Sequence, residues 1–145
     1  MIISGQRERT DTERAANAAL CASALHNLGV EADDCVAIYL RNDFEFFEAS
    51  AACALLGAYA TPVNWHYTAS EAGYILNDCD ARVLIIHSDL LPGIVEGVPA
   101  ETSVVVVPTP EEITGAYRCD DHLQALPAMA KKLPGRLYVL SLIHI

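Results

Sequence analysis

The chain has 145 residues, 52% of them apolar, and a formal net charge of −10. A chain of this length makes one domain or part of a larger one, and on compaction it removes roughly 70% of its unfolded surface from water. So high an apolar fraction argues against a disordered coil, and so large a negative surplus argues against nucleic acid or anionic lipid as partners.

The first ten residues, "MIISGQRERT", place Ile2, Ile3 and Ser4 opposite Arg7, Glu8 and Arg9 around Gly5-Gln6, which predicts a short hairpin. Thr10 and Glu13 have the spacing of a capping box, in which each side chain satisfies a free amide of the other. The helix they open should reach Leu28, with Ala18, Cys21, Leu25 and Leu28 on one face and Gly29 in a left-handed C-terminal position. Residues 36–40 read as a strand. Asp43 is then a candidate N-cap for a helix to about Leu56. On that helix Phe44, Phe47, Ala51, Ala54 and Ala58 share a face, and its other faces are also small and apolar, so packing on more than one side is expected.

Residues 59–63 follow as a strand, and Thr68 with Glu71 forms a second capping box opening a helix to about Asn77. The unbroken apolar runs 83–86 and 104–107 have the composition of strands covered on both faces, which belong to parallel sheets. The alternation predicts an α/β fold with a mostly parallel sheet, helices on both faces and right-handed crossovers. Residues 1–107 form the regular part of this reading. Residues 108–145, opening with Pro108-Thr109-Pro110, form an irregular continuation with a helix and loop expected within 111–134.

Five cysteines at 21, 35, 53, 79 and 119 make an odd count with no tight spacing, which reads as reduced thiols in an intracellular protein. No apolar run follows the N-terminal charges, as a signal peptide would require. The alanine-rich run 49–63 is too short and too mild for a membrane span. The expectation is a soluble, cytoplasmic chain.

Ligands of α/β sheets usually sit at the carboxyl ends of the strands, often on a glycine-rich loop. The eight glycines form neither GxGxxG nor GxxxxGK[ST], and GxSxG is absent. Lys131 and Lys132 are the only lysines. Asp33-Asp34 reads as a solvated turn before a strand, within an acidic surface that begins at Glu31. Cys119, Asp120, Asp121 and His122 offer half of a metal-site spacing without the other half. His26 and His87 read as ordinary packed or surface histidines. His66, in the loop after the strand 59–63, is the better-placed candidate for lining a ligand or partner surface. Its neighbours Trp65 and Tyr67 read as packing residues. On the residues alone, no catalytic constellation is assigned.

Taken as strings, "LLGAYATPVN" (55–64) and "YTASEAGYILNDCDARVLI" (67–85) resemble the N-terminal portion of the adenylate-forming ligases, the acyl-CoA synthetase family. The shorter string is similar to that family's second core motif. The longer one is similar to the segment following it in fatty-acid and aromatic-acid CoA ligases. The similarity extends in register over residues 10–108.

The resemblance implies a reaction in which a carboxylic acid and ATP give an acyl-adenylate and pyrophosphate. Coenzyme A then takes the acyl group as a thioester, with magnesium assisting. It also implies parts that this sequence does not contain: a Ser/Thr/Gly-rich phosphate loop, a ribose-binding aspartate and a lysine on a small C-terminal domain. The final "VLSLIHI" departs from the family pattern where serine, glycine and threonine were due. The expectation is therefore a truncated reading frame that ends in non-native residues, leaves out the C-terminal portion of the ligase and binds no cofactor itself. No catalytic role carries over to Trp65, His66 or Tyr67. The alternative is a stand-alone α/β binding or interaction module.

Overall fold

A computed structural model describes residues 1–110 and 124–140. The hairpin is present as β1 (Ile2–Ser4) paired antiparallel with β2 (Arg7–Arg9). There follow α1 (Asp11–Asn27), β3 (Cys35–Tyr39), α2 (Phe44–Leu56), β4 (Tyr59–Pro62), α3 (Ala69–Asp78) and β5 (Ala81–His87). A short helix α4 (Leu91–Ile94) runs into a 3-10 turn (Val95–Gly97), then β6 (Ser103–Val107), α5 (Leu126–Lys132) and β7 (Leu137–Val139).

Both capping boxes form. The Thr10 hydroxyl accepts from the Glu13 amide at 3.1 Å while Glu13 accepts from the Thr10 amide at 2.7 Å. Thr68 and Glu71 repeat the exchange at 3.3 and 2.8 Å. Gly29 takes φ +90°, as a left-handed position after α1 requires.

Five strands make one parallel sheet in the order β4-β3-β5-β6-β7. The chain steps from β3 outward to β4, returns past β3 to β5, and then continues in that direction. Right-handed crossovers put helices on opposite faces when the direction of winding reverses. Accordingly α1 and α2 cover one face, packing Cys21, Leu25, Ala49, Ala52 and Cys53 on Val36, Ile38, Val83, Ile85 and Val105. Elements α3, α4 and α5 cover the other, packing Leu76, Leu91, Ile94, Met129 and Leu133 on Tyr39, Leu84, Ile86 and Val106. The inner strands are therefore buried on both faces, and each fully covered Val, Leu or Ile contributes about 1.5–3 kcal/mol.

Two expectations are corrected. Asp43 occupies the N-cap position of α2, but its side chain makes no cap hydrogen bond. Its carboxylate takes two bonds from the Arg7 guanidinium instead, at 3.0 and 2.9 Å. The buried face of α2 holds Phe44, Glu45, Glu48, Ala49, Ala52 and Cys53. Of the expected face, Phe47, Ala51 and Ala54 lie outside it and are exposed, while α2 packs against both α1 and the sheet. Hydropathy selected the wrong stripe because the hairpin supplies arginines that let two glutamates go inside. The remaining exposed large apolar side chains sit on helices, at the hairpin, on the edge strands β4 and β7 and, at Tyr67, in the loop after β4.

Candidate functional site

The strand order makes the winding reverse between β3 and β5, and a crevice at their carboxyl ends is the position where α/β sheets of this type bind ligands. Three neighbouring strands end there alike. Arg41, Asp89 and Thr109 each stand two residues beyond the last residue of β3, β5 and β6. Adjacent parallel strands in register bring those three positions together.

The Arg41 guanidinium meets Asp89 through two parallel bonds, Nη1 to Oδ1 at 2.8 Å and Nη2 to Oδ2 at 2.5 Å. Thr109 Oγ1 donates to Asp89 Oδ1 at 2.7 Å and accepts from the Asp89 amide at 3.3 Å. With the Thr109 proton committed to Asp89, Ser88 Oγ donates to Thr109 Oγ1 at 3.1 Å. The Arg41 backbone N–H donates to His87 Nδ1 at 3.2 Å. The remaining proton of neutral His87 is therefore on Nε2, which is buried without a hydrogen-bond partner. Burial, assisted by the Arg41 charge, pulls His87 down to about 4, so the ring is neutral at pH 7.

The loop after β4 closes one side of this edge. Arg41 lies 4.8 Å from the Trp65 ring centre, and the Trp65 and His66 rings stack at 3.6 Å. Asn64 Oδ1 accepts from the His66 amide at 3.0 Å, and the Tyr67 carbonyl accepts from the buried Tyr39 hydroxyl at 2.8 Å. Trp65 packs against the core, while His66 is exposed. His66 thus sits on the rim of the crevice, with its ring against Trp65.

Another polar cluster lies under the hairpin. Asn17 Nδ2 donates to Glu48 Oε1 at 2.9 Å, and Arg9 Nη1 is 3.3 Å from the same oxygen. Arg7 and Arg9 stand 5.0 and 4.9 Å from the Phe44 ring centre. Glu45 is buried here and is pushed up to about 7, first by burial and then by the neighbouring charges of Asp43 and Glu48. Burial also raises Glu48, against the opposing effects of Asn17 and Arg9.

Elsewhere, Asp33 is an exposed turn residue at φ +69°, and Asp34 accepts from the Glu31 amide at 2.8 Å. His26 is exposed in the last turn of α1. The Cys119-Asp120-Asp121-His122 stretch and the last five residues lie outside the described residues. Cys21 and Cys53 are buried away from solvent, and that burial pushes their thiols up to about 12 and about 11. The crevice therefore offers a neutral histidine and an arginine already committed to Asp89 and Trp65. Neither is an activated nucleophile or a free cation for a triphosphate.

The family model described as AMP-binding enzyme matches residues 2–134. This chain belongs to that family. A medium-chain acyl-CoA ligase, Mig of Mycobacterium avium, is 33% identical over 82% of this chain and 23% of its own length. The fatty acid–[acyl-carrier-protein] ligase ScoC of Streptomyces coeruleorubidus is 34% identical over 59% of the chain and 16% of its own. Among solved structures, the anthranilate CoA ligase AuaEII in complex with anthranoyl-AMP superposes with a TM-score of 0.66 at 31% identity, covering 83% of this chain and 23% of that one. The chain thus spans only between 16% and 23% of the length of these relatives.

Sequence reasoning singles out His66 and misses Arg41, Asp89, Thr109, Glu45 and Glu48. A signal for the first three is present: a polar residue within three places after each apolar strand run. For the two glutamates there is none, because what covers them lies in a distant hairpin.

Proposed function

We propose that this chain is the N-terminal scaffold of an ATP-dependent acyl-CoA synthetase, a part that does not catalyse by itself. The whole enzyme would join a carboxylic acid to ATP, releasing pyrophosphate, and pass the acyl group to coenzyme A. The observation that carries this reading is the similarity to Mig, 33% identical over 82% of this chain. The other matched relatives are ligases as well, and they do not favour a stand-alone binding module.

On this reading the chemical groups that the reaction needs lie in the rest of the enzyme. Among the described residues no three His, Cys, Asp or Glu side chains are grouped to hold a metal ion. Lys132 is on the surface, bonded to Glu96 at 2.6 Å. A carboxylate is a weak nucleophile and pyrophosphate needs its charge stabilised to leave, so the groups for adenylation would come from the rest of the enzyme. No step through magnesium or coenzyme A is assigned to this chain. Among the described residues no helix is long and apolar enough to cross a membrane.

The test is pyrophosphate release from purified 145-residue chain given ATP, magnesium and a panel of fatty and aromatic acids. The expected result is release at background. Turnover above background would overturn the scaffold reading. A full-length protein carrying this segment should release pyrophosphate with at least one acid class, and failure across the panel would remove the ligase assignment.

A further inference from the structure

At the amino ends of the strands, opposite the crevice, an open hollow of about 450 Å³ is lined by Asp33, Asp34, Cys35, Tyr59, Ala60, Thr61, Cys79 and Asp80. Two of its cysteines come from different elements. Cys35 is the first residue of β3, and Cys79 caps the C-terminus of α3. Cys79 stands two residues before Ala81, and Ala81 pairs with Cys35 in the sheet. Both residues line this hollow at the foot of α3. Both are free thiols of intermediate exposure, unlike the buried Cys21 and Cys53. The Cys79 thiol donates to the Leu76 carbonyl at 3.8 Å, and Cys35 Sγ lies 2.8 Å from Thr61 Oγ1.

We propose that Cys35 and Cys79 form a redox-active dithiol that closes to a disulfide when a small uncharged peroxide enters this hollow. The Cys35 sulfur attacks one oxygen of hydrogen peroxide, the O–O bond breaks, and the departing hydroxide takes a proton to become water. Cys35 is then a sulfenic acid. The Cys79 sulfur attacks it, the S–S bond forms, the S–O bond breaks, and the hydroxide leaves as water with the Cys79 proton. Two thiols and one peroxide give one disulfide and two waters. Burial, and then the neighbouring Cys35, push Cys79 up to about 12, so it keeps its proton until that later step. The Thr61 hydroxyl, 2.8 Å from Cys35 Sγ, holds that sulfur beside the hollow that both residues line. The carboxylates of Asp33, Asp34 and Asp80 select against anionic oxidants such as oxidised glutathione.

The experiment treats the folded 145-residue chain with hydrogen peroxide, alkylates the remaining thiols and maps peptides without reduction. The expected product joins the Cys35 and Cys79 peptides, is lighter by two hydrogens and is reversed by dithiothreitol. It forms more slowly with oxidised glutathione at equal concentration. In Cys79→Ser, dimedone should trap a sulfenic acid at Cys35; in Cys35→Ser, Cys79 should stay reduced. Full alkylation of both cysteines after peroxide, or a disulfide joining either to Cys21, Cys53 or Cys119, would overturn the proposal. If a serine variant loses its far-UV circular dichroism, the wild-type peptide map decides alone.

Discussion

Arg41 reaches three neighbours at once: Asp89 through its fork, Trp65 through its charge and His87 through its backbone N–H. The pair with Asp89 is only about one-seventh exposed, with side-chain values of 15% and 14%. Removing one partner of such a pair leaves the other charge poorly solvated. Arg41→Ala should therefore lower unfolding free energy by about 3 kcal/mol, toward the bottom of the range for buried pairs, because some water still reaches it. Arg41→Lys keeps the charge but cannot present two parallel donors, and about half that loss is expected. Urea titration measures both. The sequence has one tryptophan, Trp65, so its emission reports this edge alone. Arg41→Ala should move the emission maximum in the folded state, and an unmoved spectrum would show that the arginine does not shape the loop. The loop is marked in the sequence through His66, yet the residue that holds it comes from another strand end.

Between elements, α3 and the 3-10 turn meet backbone to backbone at two glycines. A Cβ on Gly97 would stand 2.1 Å from the Ala69 carbonyl oxygen, and one on Gly73 would stand 2.9 Å from the Gly97 carbonyl oxygen. Neither obstacle is a flexible side chain, so the helix itself would have to move. Gly97→Ala should cost roughly 1–3 kcal/mol, the usual penalty of overpacking, or more. Thr68→Ala removes the cap at the start of the same helix and should cost about 1 kcal/mol. Chemical denaturation should rank Gly97→Ala as the more harmful; the reverse order would contradict the close approach. The contrast also marks what the sequence could reveal. Both capping boxes are exchanges between residues three apart, so they were legible. The apolar runs 83–86 and 104–107 were legible because burial on both faces leaves no alternation. The Gly73–Gly97 contact, the strand order and the buried face of α2 depend on partners far along the chain. Glu45 and Glu48 resemble surface residues until Arg7, Arg9 and Asn17 arrive over them.

At the scale of the whole molecule, two buried titratable groups pull stability in opposite directions with pH. Glu45, faced by Asp43, Glu48 and Arg9, has its folded value raised from 4.5 to about 7. Its contribution is fully present below 4.5 and is lost as pH rises to about 7, because ionisation is harder in the folded state. His87, faced by Arg41, Asp89 and Asp43, has its folded value lowered from 6.5 to about 4. Its contribution is present above 6.5 and is lost as pH falls toward 4, because the folded ring resists protonation. Each slope is about 1.4 kcal/mol per pH unit, and each group alone amounts to about 3 kcal/mol across its window. Between pH 4.5 and 6.5 the two slopes oppose, so these groups together leave stability nearly flat there. The single variants should separate them. Glu45→Gln removes the loss on the alkaline side, so its stability relative to the parent chain should climb by about 3 kcal/mol between pH 4.5 and 7. His87→Asn keeps an acceptor for the Arg41 N–H and cannot be protonated, so its relative stability should climb by a similar amount as pH falls from 6.5 to 4. Urea midpoints measured across that range read both differences directly. Parallel pH profiles for the parent and the two variants would mean that neither side chain is as dry as its position under the hairpin and at the strand ends requires.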